Sequence, residues 1–340
     1  VQNVADLACR TAITHRGVAH ITFPVDLQEL EDGERSKRNV ADHTSDVLAC
    51  RARLPADEDL VRAAQVLNAG KKIAILCGQG ALGATDQLEE AAETLGAPIV
   101  KALLGKAAVP DDSPFTTGGI GLLGTKPSQE ALEECDTLLM VGTSFPYIEF
   151  LPRPGQARGV QIDVDPARIG LRYPVEVGLV GDSRNALLAL LGHLKPKEDR
   201  SFLEKARAGM KEWWELMEER GTRDDKPMKP QVVAWELGKR LSPGAIVSSD
   251  SGTIATWFAR QIQAKRGQMF SLSGTLATMA NGLPYTIAAQ VAYPERQCVA
   301  FVGDGGFSML MAEFATAVKY ELPIKVIIIK NNTLGMIKWE

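Results

Sequence analysis

The chain has 340 residues, 45% of them hydrophobic and 24% charged, with a formal net charge of −4 at neutral pH. That length allows two or three domains with their own cores, and the mild acidity without a basic stripe excludes an electrostatic nucleic-acid binder. No apolar run reaches membrane-spanning length, and the five scattered cysteines, Cys9, Cys50, Cys77, Cys135 and Cys298, read as reduced thiols of a cytoplasmic protein.

Residues 1–30 read as an amphipathic helix (NVADLACRTAITH), a turn at HRG and a short strand (VAHITFP), the closing αβ unit of a preceding domain. Because the chain opens on Val1 and closes on Glu340 just past a strand, the expectation is a fragment cut at both ends, in which a leader would not be visible. Residues 31–57 are charged and aperiodic, as a linker is. From 58 to 195, apolar strands (KKIAILCG, APIVKAL, TLLMVG, GVQIDVD, VGLVGD) are interspersed with amphipathic helices (VRAAQVLNAG, ATDQLEEAAETLG, SQEALEECD, SRNALLALLGHL). Such a pattern predicts a mostly parallel sheet covered on both faces.

Residues 196–228 read as a charged connector with one surface helix, whose Trp213–Trp214 pair is expected to pack against a domain. The block 229–340 repeats the α/β pattern with strands GAIVSSD, QCVAFVGD and IKVIIIKNN among four helices, the third and fourth being NGLPYTIAAQVAYP and FSMLMAEFATAVKY. The fold class is α/β: successive doubly wound parallel-sheet domains.

Two glycine-rich loops follow strands. Gly78-x-Gly80-x-x-Gly83 has the spacing of a dinucleotide fingerprint, but the next strand offers lysines where that fingerprint wants an acid for the ribose. A structural turn and a loop beside another nucleotide both remain open. In the second, Gly303-Asp304-Gly305 is separated from Asn331-Asn332 by the 25 residues 306–330, a helix and a strand that return the chain to the same sheet edge. Asp304, Asn331 and a following main-chain carbonyl are hard oxygen donors suited to Mg²⁺. Gly305 and Gly306 leave backbone N–H groups free at a helix start, where a diphosphate is favoured. A helix cap and a turn are the bland alternative, which the paired spacing outweighs.

GDG, about 25 residues, then NN is the signature of the thiamin-diphosphate enzymes, and the chain resembles their pyruvate oxidase and acetolactate synthase branch over its whole length. The resemblance makes 1–30 the end of the pyrimidine-binding domain, 58–195 the central FAD-type domain and 229–340 most of the diphosphate-binding domain. It implies that Mg²⁺ is held by Asp304, Asn331 and the carbonyl of Thr333, and the diphosphate by Gly303, Gly305, Gly306 and the stretch Asp250, Ser251, Gly252, Thr253. Met279, in ATMANGLP, matches the bulky residue that props the thiamin in its bent form; a core methionine is the alternative. TGGIGLLG, VGTSFPY and QIDVDPARIG resemble flavin segments, which implies FAD contacts at Gly121, Leu122, Leu123 and Gly124, at Gly142, Thr143, Ser144, Phe145 and Pro146, and at Asp163 for the adenosine ribose. Glu340, in LGMIKWE, matches an active-site glutamate beside the substrate; a surface acid is the alternative. Met336 departs from the aromatic residue that flavin oxidases often carry at its position.

The activity so implied is oxidative decarboxylation of pyruvate or a related 2-keto acid to acetate or acetyl phosphate and CO₂, with electrons passed to oxygen or quinone. The alternative is an acetolactate synthase-type carboligase or a 2-keto acid decarboxylase whose FAD carries no net electrons. The family's activating glutamate would lie upstream of Val1, so these residues alone are expected to be inactive. The intact protein is expected to be a homodimer or homotetramer. Peripheral membrane contact is expected only through a tail beyond Glu340.

Overall fold

Ile73–Cys77 (β1) is apolar at every position and wholly buried in the computed structural model, which describes residues 2–15, 17–29, 31 and 53–339. These fall into two units, residues 1–52 and 53–340. In the first, α1 (Gln2–His15) and α2 (Val25–Gln28) form. The expected strand VAHITFP does not: residues 18–24 have no regular secondary structure and no ladder partner among the described residues. Most of the expected linker lies outside the described residues.

The second unit holds two parallel sheets. The first runs through α3 (Asp57–Ala69), β1, α4 (Thr85–Leu95), β2 (Ile99–Lys101), β3 (Thr116–Gly119), α5 (Lys126–Glu134), β4 (Thr137–Val141), β5 (Arg158–Asp163), β6 (Val177–Val180) and α6 (Ser183–Leu191). Its strand order is β3-β2-β1-β4-β5-β6, every pair parallel. Ile73, Ile75 and Cys77 face one core with Leu60, Leu67, Leu88 and Leu187. Ala74 and Leu76 face a second core with Leu132 from α5. The period of two thus feeds both faces of the sheet. Burial pushes the Cys77 and Cys135 thiols up to about 12, so they are packing groups and not nucleophiles.

Between the two sheets in chain order, the helix expected within residues 196–228 forms as α7 (Ser201–Gly221), with Phe202, Leu203, Ala206, Met210 and Met217 buried along it. The second sheet runs through α8 (Pro230–Lys239), β7 (Ile246–Ser249), α9 (Thr253–Arg260), β8 (Met269–Ser271), α10 (Gly282–Ala292), β9 (Cys298–Gly303), α11 (Asp304–Met309), α12 (Phe314–Lys319), β10 (Lys325–Ile329) and α13 (Gly335–Trp339). Its order is β10-β9-β7-β8, again all parallel.

Three departures from the sequence reading have local causes. β3 is Thr-Thr-Gly-Gly, with no apolar run to announce it; it forms on the open edge of β2, where Thr116 and Thr117 hydroxyls donate to the Ile99 carbonyl. β8 is three residues long, too short for a periodic signal. The helix expected over FSMLMAEFATAVKY is interrupted at Leu310, whose φ of −131° separates α11 from a 3₁₀ turn and α12. No helix among the described residues is long and apolar enough to cross a membrane.

Candidate functional site

The register of the second sheet sets the site. Gly303, the last residue of β9, pairs with Ile329, the last of β10, so Asp304 and the Asn331-Asn332 turn leave the sheet side by side. The Asn332 N–H donates to Asp304 Oδ2 at 3.0 Å, with Asn332 in the left-handed region at φ 54°. The Thr333 N–H donates to Asn331 Oδ1 at 3.1 Å. Both side-chain oxygens are thereby oriented by backbone N–H groups. Among the described residues no three His, Cys, Asp or Glu side chains gather as a metal site. The donor set at this edge is one carboxylate, one amide oxygen and main-chain carbonyls, which is the chemistry Mg²⁺ selects when phosphate and water complete its shell.

β7 ends beside β9 and is followed at once by Asp250, which is buried. Its Oδ1 accepts from the Gly282 N–H at 2.8 Å, while Oδ2 is buried without a hydrogen-bond partner. Burial pushes this carboxyl up, against backbone hydrogen bonds from Gly282 and Ala280 that pull it down. The carboxylate therefore faces inward, toward Gly282 and Gly306. The open part of the stretch is at Gly252. Its φ is 116° and nothing lies within 4 Å of where a β-carbon would be, a backbone that only glycine adopts freely.

Asn281 donates through Nδ2 to the Ser249 carbonyl at 2.9 Å, which ties the start of α10 to the end of β7. Immediately before it, Ala277 and Ala280 both have positive φ, 50° and 72°. These strained residues bracket Met279. The Met279 methyl lies 3.4 Å from the position a β-carbon would take on Gly305, and Leu334 lies 3.2 Å from the same point. Thr253 approaches Gly335 in the same way, at 2.8 Å. Residues 250–253, 279–282, 303–306 and 331–335 thus converge at one sheet edge. Glu340 lies outside the described residues.

The central sheet presents the other candidate residues at its own carboxyl edge. Its strand order reverses between β1 and β4, the place where such sheets take nucleotides. There Gly142 (φ 56°) and Gly80 meet backbone to backbone, a β-carbon on Gly142 falling 2.5 Å from the Gly80 carbonyl carbon. Gly121 (φ 93°) lies against the Phe145 ring, and the Gly124 N–H closes a turn on the Gly121 carbonyl at 2.8 Å. Leu122, at the tip of that turn, is 73% exposed. Thr143 accepts from the Phe145 N–H at 3.2 Å, Ser144 from Arg168 at 3.2 Å, and Pro146 is exposed. Asp163, at the end of β5, is buried, and its Oδ1 accepts from the Asp165 N–H at 3.0 Å. Burial pushes that carboxyl up.

Four residues that the sequence reading did not single out join the two sheets. Lys101 and Lys106 each bond Asp111, at 2.6 and 3.1 Å, all three being buried. The signal was present: these are the lysines standing where a dinucleotide fold would place its acid. Asp111 Oδ2 also accepts from the Ala264 N–H at 2.7 Å. Burial pushes the Asp111 carboxyl up, but the two ammonium groups and these hydrogen bonds outweigh it and hold it at about 2. Arg260, the fourth, closes α9, and with Lys101, Lys106, Asp111, Trp213 and Trp214 it lines a small cavity.

Residues 60–190 match the central domain of thiamine pyrophosphate enzymes, and residues 250–340 match their C-terminal TPP-binding domain. The chain therefore belongs to the thiamine pyrophosphate enzymes. YdaP of Bacillus subtilis, provisionally named as a thiamine pyrophosphate-containing protein, is 45% identical over 333 residues, 98% of this chain and 57% of that one. Pyruvate oxidase of Lactiplantibacillus plantarum is 32% identical over 343 residues, 99% of this chain and 56% of that one. A Methanocaldococcus jannaschii protein named as a probable acetolactate synthase large subunit is 32% identical over 350 residues, 95% of this chain and 56% of that one. The chain spans little more than half the length of these relatives.

Proposed function

We propose that the protein acts in the oxidative decarboxylation of pyruvate or a related 2-keto acid, with thiamin diphosphate, Mg²⁺ and FAD as cofactors and oxygen or quinone as electron acceptor. The observation that carries this reading is the joining of two edges in one unit. One is an oxygen-donor edge at Asp304 and Asn331, and the other a glycine-bounded nucleotide edge at Gly121 and Gly142.

Thiamin diphosphate supplies the nucleophilic carbon and the electron sink for loss of CO₂, and FAD the two-electron acceptor. Asp304, Asn331 and the Thr333 carbonyl would hold Mg²⁺. Gly303, Gly305, Gly306, Ser251, Gly252 and Thr253 would bind the diphosphate, with no β-carbon obstructing Gly252 or Gly303. Met279 would set the cofactor's bend from above Gly305. The central-domain residues Gly121, Leu122, Leu123 and Gly124, with Gly142 to Pro146, would line the flavin nucleotide, and Asp163 would accept from a ribose hydroxyl. The site assembles between subunits of a homo-oligomer; exposed Val318, Ile328 and Ile337 on the second sheet and its helices supply apolar surface for that assembly.

The second reading is a carboligase of the acetolactate synthase kind, favoured by the equal identity to relatives of both names. The test uses the full-length protein with Mg²⁺ and thiamin diphosphate, mixed anaerobically with pyruvate while flavin absorbance is followed. Bleaching is the expected result; CO₂ release with the flavin still oxidised would favour the carboligase.

A further inference from the structure

The two ends of α9 face different candidate sites. Its first residue, Thr253, belongs to the stretch that faces the diphosphate. Its last, Arg260, donates from Nη2 to the Leu122 carbonyl at 3.0 Å and from Nε to the Leu123 carbonyl at 3.4 Å. Those two carbonyls are consecutive members of the turn at Gly121 to Gly124. An eight-residue helix is roughly 12 Å long, so α9 spans the interval between the two edges.

We propose that Arg260 is a positioning residue: it fixes the flavin turn, residues 121–124, to the thiamin diphosphate domain through α9. The inference rests on the reading of that turn as a flavin contact. Arginine suits the task because its planar fork grasps two carbonyls at once, which a lysine ammonium does not match. The guanidinium also stacks over the Trp213 ring at 5.8 Å, which limits its freedom. Among the described residues no carboxylate pairs with it, so the carbonyls are its polar partners. At the negative end of the helix dipole, Arg260 and Lys106 supply the favoured charge, Lys106 bonding the Ala259 carbonyl at 3.1 Å.

Docking of the two sheets does not depend on Arg260. Asp111 accepts from the Ala264 N–H and donates its own N–H to the Ala264 carbonyl, both at 2.7 Å. Backbone bonds and the Phe145 ring hold the base of the turn, and Leu123 packs against the second sheet's core; what Arg260 adds is a polar anchor for its exposed tip at Leu122. Removing it should loosen that turn and leave the domain junction intact.

The experiment compares wild type, Arg260→Met and Arg260→Lys in the full-length protein. Amide hydrogen exchange is measured without flavin; FAD and thiamin diphosphate affinities are then titrated separately. For Arg260→Met, exchange over 119–125 and the FAD Kd should each rise about tenfold, as loss of a pair of hydrogen bonds implies. Exchange over 259–264 and the thiamin diphosphate Kd should stay within about twofold of wild type on the same scale. Arg260→Lys should fall between, because one donor arm is lost while the charge stays. Unchanged exchange over 119–125, or wild-type behaviour of Arg260→Lys, would overturn the proposal. If Arg260→Met does not fold, the lysine variant decides. Wild type that binds no FAD would refute the flavin reading, and the exchange data would still show whether Arg260 holds the turn.

Discussion

Asp250 and Gly306 are fitted to one another: a β-carbon on Gly306 would lie 2.0 Å from Asp250 Oδ2. The end of β7 and the start of α11 can sit this close only because residue 306 has no side chain. Gly306→Ala must push the buried carboxylate or the helix start aside, at a cost of about 1–3 kcal/mol for overpacking. Thermal denaturation should show a midpoint lowered by several degrees, with thiamin diphosphate binding weakened at the same time.

The Asp250 carboxyl is raised by burial, which fixes the sign of its pH effect. An acid whose pKa is higher in the folded protein favours folding while protonated. Its contribution is complete below its ordinary value near 3.8 and is lost as pH rises through the raised value. Asp250→Asn removes this titration while its amide oxygen can still accept from Gly282. The stability of the variant relative to wild type should therefore improve as pH rises from about 4. Denaturant titrations at a series of pH values measure the difference, and a pH-independent gap would refute it.

Asp111 behaves in the opposite sense. Held at about 2 between Lys101 and Lys106, it stabilises the fold above its ordinary value, and that stabilisation is lost as pH falls from 3.8 toward 2. Asp111→Ala leaves two buried ammonium groups without their partner and should cost about 3–5 kcal/mol. Urea unfolding at neutral pH would read that loss, and the variant should lack the wild-type fall in stability on acidification over this window.

Met279 stands above Gly305 between two alanines in the left-handed region. If it orients the cofactor and does not merely fill the core, Met279→Ala should separate turnover from binding. Turnover of pyruvate should drop by about two orders of magnitude through misplacement of the reacting groups. Thiamin diphosphate affinity should change by no more than about threefold. Steady-state kinetics and calorimetric titration on the full-length variant give the two numbers.

Much of the architecture was legible because parallel strands buried on both faces write continuous apolar runs, as in IAILC and TLLMV. The strands that were missed wrote no such run: β3 is held by its hydrogen bonds to the edge of β2, and β8 is too short. The GDG and NN turns could be paired from spacing alone, since one helix and one strand return the chain to the same edge. The inward direction of Asp250 could not, because it depends on Gly282 and Gly306, far along the chain. The Lys101–Asp111–Lys106 cluster left a trace, lysines where an acid was wanted, but its joining role and that of Arg260 did not show, because the groups they bond across the junction, Ala259, Ala264, Leu122 and Leu123, lie far along the chain.

On the proposed function, Asp304 and the Asn331-Asn332 turn form the metal-dependent thiamin diphosphate edge. The most direct measurement is calorimetric titration of thiamin diphosphate into the full-length protein, with Mg²⁺ and with chelator, for wild type and Asp304→Ala. Wild type should bind only with Mg²⁺, and Asp304→Ala should lose at least about a hundredfold in affinity, the order expected when a charged ligand is removed. Binding of equal strength in the variant, or binding indifferent to the metal, would contradict that assignment of Asp304 and Asn331.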